Sequence, residues 1–340
     1  MPDQIYAYRL KCDDILYEKT RFIAMALKFI EGFDEGTVGL HGWTSARLGT
    51  GRFGGSSWTA GQNEHQILNL PTPLTGTLVV GFAFQHNVAS VDTIFSIGLL
   101  NLATTAGGAL QLYNNTTLVA TSTTSPWTSV GTWRYVEAKY VLSTGAVTVH
   151  VDGAAALSGT VATVTSVASM AWQTTNNSTY GSCCVDDVYI LDTTGTLNND
   201  FLGDVRIQTL LPNNDGTYSQ LTPSTGTTHN TLVNEAAPNT TNYVSGATVG
   251  QKDSYQFQDL AANTANVYGV EITNYSHKDA AGPAGFSNLV RIGATDYVSS
   301  NQPLSASWVP NRDILDANPA TSAAWTASDV NSAEFGVQVS

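Results

Sequence analysis

From residue 27 onward, apolar side chains recur at every second position in short runs, and Gly, Asn, Asp and Pro cut the runs apart. A period of two is the signature of a half-buried strand, so this chain must fold as sheets. In residues 76–85, Leu78, Val80, Phe82 and Phe84 fall on one face. Residues 133–142 form a second run. Ser143, Thr144 and Gly145 follow, and then 146–151, where Val147, Val149 and Val151 share a face. That pattern predicts a hairpin with a Gly-containing loop, closed at its far end by the Asp152-Gly153 turn. Residues 94–99, 109–113 and 185–192 are further strands.

A turn-rich connector, 193–200, precedes a second set of strands at 204–211, 254–260, 266–273, 287–293 and 334–339. The Pro-, Gly-, Asn- and Thr-rich stretch 212–250 reads as an extended surface excursion. One helix signal stands near the end, with Ser328 capping a short turn over 329–333. Single cores stop growing at roughly 250–300 residues, so a chain of this length predicts two domains. The expected fold class is all-β, with two jelly-roll-like β-sandwiches in series. The expected division is 1–24, 25–197 and 198–340. Unpaired sheet edges invite pairing across subunits, which predicts a homo-oligomer.

The first 24 residues differ from the rest. Arg9, Lys11, Asp13, Asp14, Glu18, Lys19 and Arg21 interrupt every apolar run, so no signal-peptide core is present there. Met25 then opens directly onto a strand. The expectation is that 1–24 is an atypical extension and that the functional chain starts at Met25.

Charge excludes some functions. Charged residues are 12% of the chain and the net charge is −13. The 14 Lys and Arg residues are scattered without a run, which argues against a phosphate-tracking surface and so against nucleic acid as a partner. No apolar segment approaches the ~20 residues of a membrane-spanning helix, so no membrane insertion is expected. Cys12, Cys183 and Cys184 are odd in number, with one adjacent pair, and do not make a disulfide framework. Folding in a reducing cytoplasm follows from that usage.

Catalytic patterns are tested and fail. Residues 49–54 match a dinucleotide fingerprint in letters, but they precede Ser56, Ser57 and Trp58 rather than a helix, and read as a turn into a strand. Glu31 and Glu35 have a usable spacing, but Gly32 and Gly36 break the segment. Asp186 and Asp187 are adjacent, which places them on opposite faces of a strand. No paired carboxylates, triad or zinc spacing emerge, and the chain reads as non-enzymatic. Trp43, Trp58, Trp127 and Trp172 lie in or beside Ser/Thr/Gly-rich segments. Among these Trp127, after Ser125 and Pro126, is the candidate for an exposed glycan-binding ring.

Residues 133–140 running to 149–153, together with 185–192 and the Gly-rich 51–56, resemble a concanavalin A-like, laminin-G-type jelly roll over roughly 27–196. The resemblance implies a rim calcium, for which Asp152, Asp187 and Asp192 are the available ligands. The plain reading of each is a solvated turn aspartate, and no cofactor is expected. Residues 201–206, 211–216, 223–226 and 243–244, with 318–326 and 334–337, resemble a domain of bacteriophage virion proteins. That resemblance implies a particle protein assembled in the bacterial cytoplasm and exposed as a tail, fibre or decoration component. Other virion proteins would be its partners. The alternative is a lectin-like adsorption module for host surface glycans.

Overall fold

The computed structural model describes residues 3–8, 26–35, 42–44, 47–60, 64–86, 92–173, 183–261, 263–279, 281–282 and 284–340. Cys12, Met25 and the expected start of the functional chain lie outside these residues. The chain is all-β. Its strands are β1 (Asp3–Tyr8), β2 (Leu27–Glu31), β3 (Leu48–Thr50), β4 (Ser56–Ala60), β5 (His65–Leu74), β6 (Thr77–His86), β7 (Asp92–Ile97), β8 (Leu100–Thr104), β9 (Leu110–Asn114), β10 (Thr117–Thr121), β11 (Trp133–Val141), β12 (Ala146–Val151), β13 (Ala154–Thr160), β14 (Val167–Gln173) and β15 (Cys183–Asp192). Then follow β16 (Val205–Thr209), β17 (Pro212–Ser219), β18 (Thr222–Pro223), β19 (Val244–Ser245), β20 (Lys252–Phe257), β21 (Val267–Ser276), β22 (Gly285–Ile292), β23 (Thr295–Val298), β24 (Gln302–Pro303), β25 (Val309–Leu315), the short helix α1 (Ala327–Ser332) and β26 (Glu334–Val339). Among the described residues no helix is long and apolar enough to cross a membrane.

The chain forms two compact units, one of residues 26–206 and one of 207–340 with the N-terminal strand. The first unit is a two-sheet β-sandwich. One sheet runs β13-β12-β11-β6-β15-β4-β3, with β2 also on β15, and the other runs β10-β9-β8-β7-β14-β5. Leu78, Val80, Phe82 and Phe84 of β6 face Ile94, Phe95, Leu102, Leu112 and Trp172 across the core, as the alternation requires. The β11–β12 hairpin pairs Val141 with Ala146, and Gly145 takes φ +76 in its loop. At the next turn Asp152 and Gly153 both have positive φ, so a two-residue loop joins Val151 to Ala154 with the twist a hairpin prefers.

The second unit packs the sheet β16-β1-β21-β25 and the sheet β17-β20-β26-β22-β23 around Tyr255, Ile272, Phe286, Trp325, Phe335 and Val337. Strand β1 runs parallel to β21, Ile5 opposite Gly269. Two expectations are corrected here. The stretch 212–250 is not an excursion over the surface. Its strand β17 pairs with β20, and Leu221, Leu232, Val233 and Val244 enter the core. The polar run Asn213-Asn214-Asp215-Gly216-Thr217 hid this, because a strand of such residues is fixed by its partner rather than by its own apolar pattern. The cap of α1 is Thr326, not Ser328. The Thr326 hydroxyl accepts the Asp329 N–H at 3.1 Å, and the Asp329 carboxylate accepts the Thr326 N–H at 2.9 Å. This reciprocal box occupies two of the free donors at a helix start, which Ser328 from inside the helix cannot do.

Candidate functional site

The middle strands of the eight-stranded sheet, β11, β6 and β15, are buried on both faces, and their outer face carries an ionisable cluster. The sequence carries a trace of this. Strand β6 is apolar or small on its outward side as well, at Val79, Gly81 and Ala83, which a solvent-facing sheet would not need. Gly81 makes room for a ring. A Cβ there would meet the Tyr189 Cε1 at 2.1 Å.

What covers this face is the connector. Residues 200–205 lie as a strap across it. Phe201 stacks on His150 with centroids 4.0 Å apart, and Lys139 pairs with Asp200 at 3.0 Å. The Gly203 N–H donates to the Glu137 Oε1 at 2.9 Å, and the Tyr189 hydroxyl donates to the same oxygen at 2.5 Å. Tyr135 and Tyr189 run side by side at 6.4 Å beneath the strap.

The Gly-rich turn 51–55 supplies the centre of the cluster. It is the turn into β4 that its sequence suggested, and it serves to aim Arg52 inward. The Arg52 N–H donates to the Asp186 Oδ2 at 2.8 Å, while its guanidinium binds the Asp204 Oδ2 at 2.6 Å and the Val205 carbonyl at 3.4 Å. Its Nη1 lies 3.6 Å from the Asp187 Oδ2. Burial opposes the charge of Arg52, but the Asp204 hydrogen bond and the Asp204 and Asp187 charges hold its pKa above the ordinary value.

Asp186 and Asp187 are therefore not split between two faces. Asp186 pairs with Ala83 and Tyr189 with Gly81, so β15 carries one extra residue there, and Asp187 sits in the left-handed region at φ +50. This β-bulge suspends the two-residue alternation and lets both carboxylates approach Arg52. The Tyr135 hydroxyl donates to the Asp187 carbonyl at 2.9 Å, satisfying a backbone group within the bulge. Burial, and then the Asp187 charge, push the Asp186 carboxyl well above its usual range. Asp34, which accepts the Ser56 N–H at 2.8 Å, is pushed up to about 6. Burial is the main cause, with Glu31 and Glu35 adding to it and Arg206 opposing it.

In chemical terms this is a charge cluster that holds a segment in place. Its carboxylates meet backbone N–H groups and arginine. Glu31 does the same elsewhere, accepting from the Phe33 N–H at 2.8 Å and the Trp43 indole at 3.1 Å. In the second unit, Asp253 is a comparable hub. Its carboxylate meets the His229 Nδ1 at 2.6 Å, the Tyr255 hydroxyl at 2.8 Å and the Gln220 and Leu221 N–H groups at 2.7 and 2.9 Å.

The expected ligand sites change. Trp127 is not an exposed ring. It is 4% exposed and packs edge-on against Phe84 at 5.9 Å. Its backbone N–H is bonded to the Gly108 carbonyl, which turns the residue after Pro126 inward. Trp43, Trp58 and Trp172 are buried too. Nor do Asp152, Asp187 and Asp192 form a cation site. Asp152 is bound by Arg134 and the Tyr135 N–H, Asp192 by Lys28 and the Thr194 N–H, and Asp187 faces Arg52. Among the described residues no cluster of three His, Cys, Asp or Glu side chains is arranged for a metal ion, so this donor set does not fit calcium. Cys183 and Cys184 are buried on β15 and form no disulfide with each other.

No protein-family model and no curated protein matches the chain. Similar solved structures include a sialidase (14% identity over 49% of this chain and 18% of that one, TM-score 0.40) and the apo Crh5 transglycosylase (13% identity, 51% and 87%, TM-score 0.39). Domain 4 of AbnA, a GH43 extracellular arabinanase from Geobacillus stearothermophilus, is similar at 16% identity over 49% of this chain and 92% of its own, with TM-score 0.37. The chain thus spans less than a fifth of that sialidase's length.

Proposed function

We propose that this chain is a structural protein of a bacteriophage particle, exposed on its surface as a tail, fibre or decoration component and acting by assembly and contact rather than by turnover. One observation carries the non-catalytic part of this reading. The ionisable residues at the strap, Arg52, Asp186, Asp187, Glu137 and Asp204, are engaged with one another, with tyrosine and with backbone groups, so their chemistry goes into holding the strap.

The particle assignment draws on the resemblance of 201–206, 211–216, 223–226, 243–244, 318–326 and 334–337 to virion proteins. Those residues hold structural positions: the strap, strand β17, the β18–β19 pair, the Thr326 box and the central strand β26. A surface poor in Lys and Arg suits an outward position away from packaged DNA. Mass spectrometry of purified particles should find the protein. Light scattering of the recombinant chain should show a homo-oligomer. A stable monomer that is absent from particles would sink the reading.

The second reading is a lectin-like module for host surface glycans. It is favoured by the placement of the aromatic side chains. Five of the seven tryptophans are buried, and the other two, Trp133 and Trp308, are half-buried, so each keeps part of its surface in water.

A further inference from the structure

Between the two sheets of the second unit the core turns polar at one end. Side chains two apart on a strand share a face. On β21, Val270 and Ile272 are core residues, so Asn274 and Ser276 point the same way. On β22, Phe286 and Val290 are core residues and Asn288 stands between them. On β25, Leu315 is a core residue, so Asp313 and Asn311 share its side. The register places Asn274 opposite Asn311, and Ile272 opposite Asp313. Hydrogen bonds tie these groups together. The Asn274 Nδ2 donates to the Asn288 Oδ1 at 2.6 Å, the Asn288 Nδ2 donates to the Asp313 Oδ2 at 3.2 Å, and the Asn311 Nδ2 donates to the Ser276 hydroxyl at 2.8 Å. Asn274, Ser276 and Asn288 are buried. Asn311 and Asp313 are half-buried on β25, the last strand of its sheet, and open this end to solvent.

Two groups in this cluster lack a partner of the right kind. An ionised carboxylate only accepts, so Asp313 turns the Asn288 nitrogen toward itself, and the Asn288 oxygen then turns the Asn274 nitrogen toward it. The Asn274 Oδ1 is left over, fully buried, and among the described residues nothing donates to it. Asp313 in turn faces no positive charge. Burial raises its carboxyl above the ordinary 3.8, and only hydrogen bonds from Asn288 and Ser299 oppose this. Arg312, its neighbour in the chain, points to the other face of the sheet, where its Nε donates to the Glu271 Oε1 at 2.5 Å. A carboxylate without a cation beside a buried amide oxygen without a donor is costly twice over, and a bound cation relieves both. The available donors are oxygens, which suits a hard cation rather than zinc or copper. Calcium accepts mixed carboxylate and amide oxygens in an irregular shell completed by water, whereas magnesium demands near-octahedral geometry and gives up its water reluctantly. With a single acidic residue, such a site contains no group of three His, Cys, Asp or Glu side chains.

We propose that Asp313 and Asn274 are protein ligands of a calcium site at the polar end of the second unit's core, with Asn288 orienting both. This site is separate from Asp152, Asp187 and Asp192 of the first unit and depends on neither reading of the protein's function. One charged ligand makes it a weak site, with a dissociation constant of roughly 10⁻⁴–10⁻³ M. The test takes the full chain, stripped with a chelator, and titrates it with calcium chloride and separately with magnesium chloride, by calorimetry and by melting temperature. Asp313→Asn keeps the shape and removes the charge, Asn274→Leu removes the amide oxygen, and Asp192→Asn is the first-unit control. Circular dichroism checks that each variant folds. Calcium should bind and raise the melting temperature of the unaltered chain and of Asp192→Asn, and magnesium should bind at least tenfold more weakly. Asp313→Asn and Asn274→Leu should each lose at least tenfold in calcium affinity. Should Asp313→Asn fail to fold, Asn274→Leu gives the answer by itself. An unaltered chain that does not bind calcium overturns the site, as does calcium binding that survives both substitutions or disappears in Asp192→Asn.

Discussion

Arg52 and Asp204 stand 152 positions apart in the chain and meet at 2.6 Å, closing the strap onto the outer face of the first unit's larger sheet. The guanidinium is 10% exposed and the carboxylate 36%, so the two partners are unequal. Removing the buried one takes the cation away from Asp187 and Asp204, while Asp186 keeps the backbone N–H of residue 52. Removing the exposed one leaves an arginine that still faces Asp187 and the Val205 carbonyl. Arg52→Met should therefore lower stability by about 3 kcal/mol, the cost typical of breaking a buried pair. Asp204→Ala should cost about 1 kcal/mol. Urea unfolding with hydrogen exchange at 198–206 measures both, and equal losses would contradict this ranking.

The carboxyl of Asp34 predicts a pH dependence of definite sign. Its pKa is raised to about 6 from the ordinary 3.8 of an aspartate. The folded state thus binds the proton more tightly than the unfolded chain. The stabilising effect is fully present below the unfolded value, declines as pH rises through the folded value near 6, and is absent above it. Asp34→Asn should match the unaltered protein at low pH and exceed it at pH 7.5, by on the order of 1 kcal/mol once solvent screening of a half-buried group is allowed for. Denaturation midpoints at the two pH values give the answer. No gain at pH 7.5 would refute the assignment.

Gly81→Ala should be among the most damaging single methyl additions in the chain. The new Cβ would fall 2.1 Å from the Tyr189 ring. Tyr189 is held by its hydrogen bond to Glu137, and the Leu202 N–H donates to the Tyr189 hydroxyl at 3.3 Å. Overpacking of this kind costs about 1–3 kcal/mol or more. Pairing it with Tyr189→Phe would not rescue it, because the ring itself is in the way. Rescue by Tyr189→Ala, read as a recovered melting temperature, would confirm the contact.

At the other end of the chain, Thr326→Ala removes the hydroxyl half of the capping box and keeps the backbone N–H half, and it should cost about 1 kcal/mol, whereas Ser328→Ala should change stability little. The same unfolding measurement separates them.

The legible and illegible parts of this fold divide along a physical line. Leu78, Val80, Phe82 and Phe84 show their face because one side of a strand meets a core of uniform chemistry. The 143–145 loop shows itself because Gly145 needs a positive φ. The charge cluster was hidden for the opposite reason. A polar outer face reads the same whether water or a strap covers it, and the bulge at Asp187 breaks the alternation that would have assigned Asp186 and Asp187. Arg52 was flagged only as part of a Gly-rich turn, and its role depends on a partner far along the chain. Trp127 misled because the local composition around Pro126 says nothing of Phe84, its packing partner. Asn274, Asn288 and Asp313 carried no local signal, since they meet only through the β21–β25 register and the packing of one sheet on the other.

The strap also sets where the first unit can be cut. A truncation placed at the turn-rich segment around 195–198 looks harmless, yet it would peel a layer from the sheet and wet the Tyr135 and Tyr189 rings. A self-sufficient fragment has to carry the chain through Arg206, so the segment that leads into the second unit also serves as the roof of the first.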